Sequence, residues 1–507
     1  MFAVIGSLVI FSTMAIIIDE QKKQVGALKA MGFRTGEIRA KYLVFGISAA
    51  VIGVTLGIGL CMVVTNIIMV VLRKLYVFGR IKALFVPGTA AIVGGATLVV
   101  ASSVVWYSCR NLLKCTAVGL MNGSEPAKKS MKGKAPSKGR GGQSLYSRLI
   151  VRNILTDMKR VLVSIVVVVG SVMLIGIGFT IRFSFNNAFD YQEKEIYRYS
   201  FRVDLGADPV EADKEKVEAI FKDHGASYLP VAYQTSLYEC ADESAGFYIL
   251  SAENEQLKEF VHLSSELPES GILLPEKFLE MHSLFAEDTL ILYDGALVPH
   301  KAKVNGSFRY HAGFMAVMSP AAYREIFGED PVRNSYYCRL GDAAEEVAAA
   351  IKAACPSAQF ERPADFAARY ESTKKLFNLV ALIMVIISVT DTLLIMINLT
   401  NILVNRRMKE LLVMKVNGFS AEQVKGYLLR ETMLINVAGI VLGLIAGILM
   451  SGSIIRSIES DYTMYIRTVS ILSWGISIAI NGVLSFVINH VSFKNIEKTP
   501  LTDIMKY

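Results

Sequence analysis

One segment of the chain occurs twice, 386 positions apart, and this repeat limits the folds open to the sequence. The first copy, 19–44, aligns with the second, 405–430, and both contain the pattern Lys-x-x-Gly-Phe between two long apolar runs. Glycine readily takes the left-handed conformation that ends a helix. Ser420 and Gln423 fit a capping box that starts the next helix, and Thr35 is the candidate cap in the first copy. Each copy therefore predicts a basic helix, a glycine turn and a second helix between two membrane spans. We call the copies the first elbow (19–44) and the second elbow (405–430).

The apolar runs predict a polytopic α-helical membrane protein. The sequence is 53% hydrophobic with a mean hydropathy of +0.43, and a span needs roughly 20 apolar residues. Seven runs qualify, namely 1–18, 42–72, 83–108, 160–182, 376–404, 427–455 and 468–493. The first run starts at Met1 and lacks the charged region of a signal peptide. Because the number of spans is odd, we expect that a further segment precedes them.

The charge distribution predicts the orientation of the chain. Three basic loops, 19–41, 109–160 and 405–426, fall on the same side by parity, which the positive-inside rule makes the cytoplasm. The segment 183–374 carries 18 Lys and Arg against 32 Asp and Glu, and then lies outside. Its alternation of strand-like and helix-like runs predicts an α+β extracytoplasmic domain. The sequence thus predicts a multi-pass membrane protein with its large domain outside.

The chain divides into two related halves. A linker rich in Gly, Pro, Ser and Lys at 122–143 separates them, and both halves end in a span followed by a basic tail. The second half has a span and an outer domain ahead of its three-span block, whereas the first half has the block alone. We infer an ancestral pattern of eight spans and two outer domains. The predicted domains are a first three-span block (1–121), a basic cytoplasmic linker (122–159), a span (160–182), the outer domain (183–374) and a second three-span block (375–507).

Glycines recur at matching places in the two blocks. Small residues four apart let transmembrane helices approach closely. Gly53 and Gly57 in the first block align with Gly439 and Gly443 in the second, where Gly447 continues the series. These five glycines are predicted to pack helices together.

No catalytic or metal site is predicted. The segment 123–130 lacks the second glycine and the preceding strand of a phosphate-binding loop. The six histidines are scattered, with no HExxH, and no G-x-S-x-G elbow is present. The six cysteines have no metal-ligand or disulfide spacing. We expect no enzymatic activity, no cofactor bound by the chain and no nucleic-acid partner.

Two polar residues fall inside the fifth span. A carboxylate within a membrane is a functional candidate, and Asp391 lies in this span with Asn398 close to the same face. The alternative is a polar stripe that holds this helix against its neighbours. The packing interpretation is favoured because the sequence shows no basic partner for Asp391 within the spans.

The elbows have two interpretations as well. Positive-inside loops explain their charge but not their repeated helix–glycine–helix pattern, which instead favours a docking surface for a soluble partner. The candidate residues in the first elbow are Lys23, Lys29, Gly32, Phe33 and Arg39. Their counterparts in the second elbow are Lys409, Lys415, Gly418, Phe419 and Lys425.

At these residues the sequence resembles the FtsX-like permease family, the membrane subunits of MacB-type ABC transporters. The family pattern I-G-x-L-K-A-x-G corresponds to QVGALKAMG at 24–32 and, less closely, to ELLVMKVNG at 410–418. The tails at 110–121 and 494–505 resemble the family's short ending. The resemblance implies that a dimer of separate ATPase subunits holds ATP and Mg²⁺. It also implies that the elbows dock into those subunits and pass their closure to the outer domain.

The resemblance implies an ABC transporter permease of the bacterial cytoplasmic membrane, which acts in the lipid bilayer on an extracytoplasmic protein, a peptide or a lipophilic substrate. A membrane regulator that switches an outer partner, such as a cell-wall hydrolase, is the alternative. An intramembrane enzyme built around Asp391 is a third, more distant hypothesis.

Overall fold

The computed structural model describes residues 14, 17, 21–75, 86–112, 117–118, 158–240, 243–341 and 343–497. They form two compact units. The membrane unit comprises the described residues of Met1–Thr180, Leu379–Met450 and Ser470–Tyr507, and the outer unit comprises those of Ile181–Asn378 and Ser451–Val469.

Helices and strands are numbered in chain order. The helices are α1 (Lys22–Ala30), α2 (Thr35–Leu75), α3 (Pro87–Leu112), α4 (Met158–Tyr191), α5 (Glu211–Asp223), α6 (Asn254–Phe260), α7 (Glu276–His282), α8 (Pro320–Phe327), α9 (Ala344–Ala354), α10 (Pro363–Val416), α11 (Ala421–Ile458) and α12 (Ile471–Glu497). The strands are β1 (Phe201–Asp204), β2 (Ser227–Cys240), β3 (Glu243–Ser251), β4 (Ile272–Pro275), β5 (Thr289–Tyr293), β6 (Pro299–Phe308), β7 (Met315–Met318), β8 (Ser335–Arg339) and β9 (Gln359–Glu361).

Six of the helices are long and apolar enough to cross a membrane, counted over the described residues. They are α2, α3, α4, α10, α11 and α12, and each overlaps one of the predicted apolar runs. The predicted first run, 1–18, lies outside the described residues except for positions 14 and 17, which are helical. The protein is therefore a polytopic helical membrane protein, as the sequence predicts.

In the first block of the membrane unit, α1, α2 and α3 share a small core. Val25 from α1 packs with Ile38 and Tyr42 from α2 and with Val105 and Cys109 from α3, and all five side chains are buried. Close approach of α2 and α3 depends on glycine, since a methyl group added to Gly46 would lie 2.6 Å from Cγ2 of Val105. This core fixes α1 against the start of α2.

The outer unit is built on a nine-stranded mixed sheet. Six of its strands pair in a closed ring, in the order β2, β3, β7, β4, β6, β5 and back to β2. The ring contains two parallel pairs, β3 with β7 and β4 with β6, and its other pairs are antiparallel. Alternate residues of the strands, such as Tyr238 and Ile249, point inward. Together with Phe278 from α7 they form a buried core.

The long strand β2 joins this ring to a smaller sheet. Its first half, Ser227–Val231, pairs with β8, and β8 continues through β1 to β9. Helices α5 and α9 cover this sheet through Val217, Phe221, Val347 and Ile351, all of which are buried. The outer unit is thus an α+β domain, and the fold class predicted from the sequence is confirmed.

The end of α11 and the connection that follows it belong to the outer unit. Residues 451–469 contribute Ile455 and Tyr465 to an apolar cluster with Phe185, Phe189 and Phe366. The sequence analysis grouped this connection with the second three-span block. The predicted domain boundaries stay a prediction.

His311 makes the stability of the outer unit depend on pH. The side chain is buried, its Nδ1 lies 2.8 Å from the carbonyl oxygen of Met464, and its Nε2 has no hydrogen-bond partner among the described residues. Burial lowers the pKa of His311, even though the bond to Met464 acts in the opposite direction. Below about pH 6.5 the unfolded chain therefore binds a proton that the folded chain resists, which destabilises the fold as the pH drops.

We expect the replacement His311→Asn to reduce this loss, because Asn can still donate a hydrogen bond to Met464 but does not titrate. Thermal unfolding of both proteins between pH 7.5 and pH 5.5 measures the effect. The wild type loses up to about 1.4 kcal/mol more than the variant for each pH unit below its unfolded-state pKa. Parallel pH profiles for the two proteins would contradict the assignment.

Candidate coupling site

The turn of the first elbow is set by its glycine. Helix α1 ends at Ala30, and Gly32 follows with a φ of +93°, a conformation that favours glycine. The N–H of Phe33 donates to the carbonyl oxygen of Leu28 at 3.1 Å, and that of Gly32 donates to Lys29 at 3.1 Å. These two bonds form a Schellman motif, which satisfies carbonyl groups left free at the helix end.

The second elbow repeats this turn. Gly418 has a φ of +88°, and the N–H of Phe419 donates to the carbonyl oxygen of Met414 at 3.1 Å. The predicted capping box is formed as well. The N–H of Ser420 lies 3.0 Å from Oε1 of Gln423, and the N–H of Gln423 lies 3.2 Å from Oγ of Ser420. The sequence repeat is therefore also a structural repeat.

The first elbow starts its second helix differently from the prediction. Thr35 is not the cap, because α2 already begins at Thr35 and the preceding Arg34 occupies the cap position. The N–H of Arg34 donates to Oε2 of Glu37 at 2.9 Å, so the acidic residue in the first turn supplies the capping contact. The carboxylate also suits the positive end of the helix.

Each elbow has a buried face and an exposed face. The matched residues Ile38 and Val424 are buried. Phe33 is 49% exposed and its counterpart Phe419 is 37% exposed. Large apolar side chains left open to solvent beside basic residues are typical of a protein-binding surface. The exposed face also includes residues that the sequence analysis missed, namely Met31, Val413 and Val416. These residues could have been predicted from the sequence, because they are apolar positions within the two basic elbows.

The predicted basic residues are only partly described. Lys29 is half-buried, and the guanidinium carbon of Arg39 lies 4.9 Å from the ring centroid of Trp106. This cation–π contact links α2 to α3. The other four belong to helical segments but their side chains lie outside the described set: Lys23, Lys409, Lys415 and Lys425. A role of any of these residues in coupling stays a prediction.

The glycines of the second block lie against α4. A methyl group added to Gly439 would lie 2.7 Å from Cβ of Val168. One added to Gly443 would lie 2.9 Å from Cβ of Val172 and 3.1 Å from Cα of Val169. These contacts bring α11 against the backbone of α4, as expected where small residues line a helix interface.

The ring of Trp474 fills the next part of this interface. A methyl group on Gly447 in α11 would collide with the ring, and so would one on Gly176 in α4. Trp474 belongs to α12, so its side chain wedges between two helices that meet through glycine. Helix α4, which precedes the second block in the chain, thus packs against two helices of that block, α11 and α12.

Hydrogen bonds within the membrane unit add to this packing. The hydroxyl of Ser171 donates to Oδ1 of Asn481 at 2.7 Å and accepts from Thr392 at 2.5 Å. The hydroxyl of Ser477 donates to the carbonyl oxygen of Val172 at 2.8 Å. Buried polar groups of this kind bind transmembrane helices to one another. They tie α4 to α10 and to α12.

The first block presents its glycines to open space. No described atom lies within 4 Å of a methyl group placed on Gly53 or Gly57. Both glycines line an apolar groove of about 960 Å³ between α2 and α3. Among the described residues, the matching glycines of the two blocks therefore have different surroundings, and the packing role of all five glycines stays a prediction.

The predicted intramembrane pair cannot be placed in detail. Asp391 and Asn398 lie in α10, but their side chains are outside the described set. Their neighbours Ser388 and Thr392 are buried, and Thr392 makes the contact with Ser171 described above. The functional interpretation of Asp391 and the packing interpretation both stay predictions.

Comparison with known proteins identifies the two blocks. The model of the FtsX-like permease C-terminal family matches residues 1–117 and again residues 379–498. Both three-span blocks are FtsX-like permease domains. Each match contains one elbow, so the repeat read from the sequence is the family domain present twice. No curated protein matches the chain in sequence.

Two solved structures are similar to parts of this FtsX-like permease. One is the extracellular domain of the noncanonic ABC-type transporter YknZ from Gram-positive bacteria, with 11% identity and a TM-score of 0.22, covering 32% of this chain and 99% of that one. The other is the periplasmic region of MacB from Actinobacillus actinomycetemcomitans, with 9% identity and a TM-score of 0.24, covering 36% of this chain and 96% of that one.

The two domain matches, together with the apolar helices, support the general role of the chain. It is an ABC-type permease subunit and a multi-pass protein of the cell membrane with a large outer domain. FtsX-like permeases work with an ATPase partner.

Proposed function

We propose that this FtsX-like permease couples ATP hydrolysis by a separate ATPase to movement of its outer unit. The observation that carries the proposal is the structural repeat of the elbow. Both copies turn at a glycine with positive φ, and both present a phenylalanine on the exposed face. Each elbow then continues without a break into a long apolar helix, α2 in the first block and α11 in the second.

This continuity gives the elbow a mechanical role. A docked partner that moves the elbow also moves the first turn of the following helix, because the Schellman bonds and the caps hold the two helices of the elbow together. Packed helices move as rigid bodies between discrete arrangements. Two elbows in one chain match a dimer of ATPase subunits, and that dimer would hold the ATP and Mg²⁺.

The outer unit would deliver this movement to an extracytoplasmic protein, a peptide or a lipophilic substrate. The alternative, a regulator that switches an outer protein, uses the same coupling and differs only in its outer ligand. Purification of the tagged chain from its native membrane, followed by mass spectrometry, separates the two. A stable outer protein partner favours regulation, whereas an ATPase without such a partner favours export.

Two substitutions in the second elbow test the coupling itself. Gly418→Pro forces a φ near −65° on a residue that has +88°, and Lys415→Glu reverses a charge on the same elbow. We expect both variants to insert and fold but to lose stimulation of the partner's ATP hydrolysis. Hydrolysis is measured after co-reconstitution of the permease and the ATPase into liposomes. Lys301→Glu, a charge reversal at an exposed position in the outer unit, is the control. Normal stimulation in both elbow variants would exclude the coupling role.

A further inference from the structure

The connection between α11 and α12 is fastened to the rest of the outer unit by a buried cluster of charges. We call residues 459–467 the strap. The carboxylate of Glu459 is fully buried and accepts four hydrogen bonds. Lys277 donates to it at 3.0 Å, the N–H of Tyr465 at 3.0 Å, and Arg467 through Nε at 3.0 Å and Nη2 at 2.6 Å.

A second carboxylate completes the cluster. Arg467 also forms a bidentate pair with Glu280, at 2.5 Å and 2.6 Å, so one guanidinium bridges two acids. Fork-to-fork pairs of this kind are the strongest and most directional ion pairs in proteins. Lys277 and Glu280 both belong to α7, whereas Glu459 and Arg467 lie at the two ends of the strap. The cluster therefore fixes both ends of the strap to one helix.

The pKa values agree with a cluster that stays ionised. Burial raises the pKa of Glu459, but the hydrogen bonds from Arg467 and Lys277 outweigh it and the net shift is downward. The hydrogen bond from Arg467 lowers the pKa of Glu280. Both acids are thus charged at neutral pH, and a buried charge that is left without its partner is costly.

Main-chain contacts hold the middle of the strap. Met464 donates its N–H to the carbonyl oxygen of His311 at 2.9 Å, and Gly313 donates to Tyr462 at 2.9 Å. Ala312 and Thr463 form an antiparallel bridge between these bonds. The strap is therefore paired along its length and cannot shift without breaking several bonds together.

The position of the strap in the chain gives it a role in transmission. Helix α11 begins at Ala421, directly after the capping residue of the second elbow, and ends at Ile458, directly before Glu459. One uninterrupted helix thus leads from the second elbow to the cluster. We infer that Glu459, Arg467, Lys277 and Glu280 form the output joint of the permease, through which α11 moves α7 and the strands that α7 packs on.

This inference rests on the proposed function and adds the residues that act at its outer end. Glu459 is a positioning residue, because it acts by holding Lys277 and Arg467. The joint predicts that docking and ATP hydrolysis can be separated from the response of the outer unit. Loss of the Glu459 charge leaves docking and ATP hydrolysis in place and removes the response of the outer unit.

Hydrogen–deuterium exchange with and without ATP measures this response in the full complex of permease and ATPase. In the wild type we expect ATP to change exchange in peptides covering 276–282 and 459–467. In Glu459→Gln this ATP-dependent change is lost over 276–282, while the ATPase stimulation stays at the wild-type level. Glu280→Gln, at a partly exposed position that the fold tolerates, weakens the response without abolishing it.

Two comparisons make the result decisive. Glu266→Gln, which removes a carboxylate from an exposed ion pair with Lys258 outside the joint, is expected to respond like the wild type. A wild-type response in both Glu459→Gln and Glu280→Gln would overturn the joint and leave the coupling function standing. Absence of any ATP response in the wild type would instead remove the coupling function, and the joint with it.

Discussion

The substitution Gly443→Leu is expected to unfold or separate the helices of the second block, whereas Gly57→Leu at the matching position of the first block is expected to have little effect. At Gly443 even a methyl group would lie 3.1 Å from the backbone of Val169, so a larger side chain has to push α11 away from α4. At Gly57 the same side chain enters open space among the described residues.

The cost of the first substitution is large for a single residue. Overpacking of a well-filled interface typically costs up to about 3 kcal/mol. Here the obstacle is main chain and cannot adopt another rotamer, so the upper end of that range applies. The difference is measured by unfolding the purified variants in detergent with heat or denaturant. Similar losses of stability in the two variants would show that the glycine faces are not packed as described.

The combined substitution of Phe33→Ser and Phe419→Ser is expected to abolish stable association with the ATPase. Both rings are exposed in the permease alone, and large aromatic residues at the centre of an interface are the usual hot spots. Removal of one such residue typically costs about 2 kcal/mol, which weakens binding about thirtyfold. The two single variants are therefore expected to bind weakly, and the double variant not measurably.

The affinity is measured with the permease in lipid nanodiscs and the purified ATPase in solution. Phe285→Ser is the matched control, because Phe285 is also exposed but lies in the outer unit. Since the elbow phenylalanines follow the glycine turn and are not part of the buried face, the variants keep their fold. Wild-type affinity in the double variant would show that the exposed face of the elbow does not carry the interaction.

The sequence predicts the membrane unit well because its signals are local. A run of about 20 apolar residues identifies a span regardless of what packs on it. The glycine turns at Gly32 and Gly418 follow from a residue type with a distinct backbone preference. The cap at Arg34 was missed because arginine stands where the capping box expects Ser or Thr, although Glu37 occupies the place of its Glu or Gln.

The outer unit was predicted only as a class. The sequence indicated an alternation of strand-like and helix-like runs, but it did not show which strands pair. The strands of the closed ring are fixed by their pairing, and pairing partners are distant in the chain. The joint is harder still, because Arg467 and Glu280 are 187 positions apart. A surface acid and a buried one look the same in a sequence.

The closed ring of strands also affects how readily the outer unit aggregates with neighbouring molecules. A sheet with a long free edge invites a strand from another molecule, which is a route to aggregation. Here the ring returns to β2, and the smaller sheet ends at β9, a strand of three residues. That short edge carries Glu361, whose charge is held by Arg202 at 2.7 Å. Among the described strands little edge is left for a foreign chain, so the outer unit offers few free backbone groups on which another molecule could add a strand.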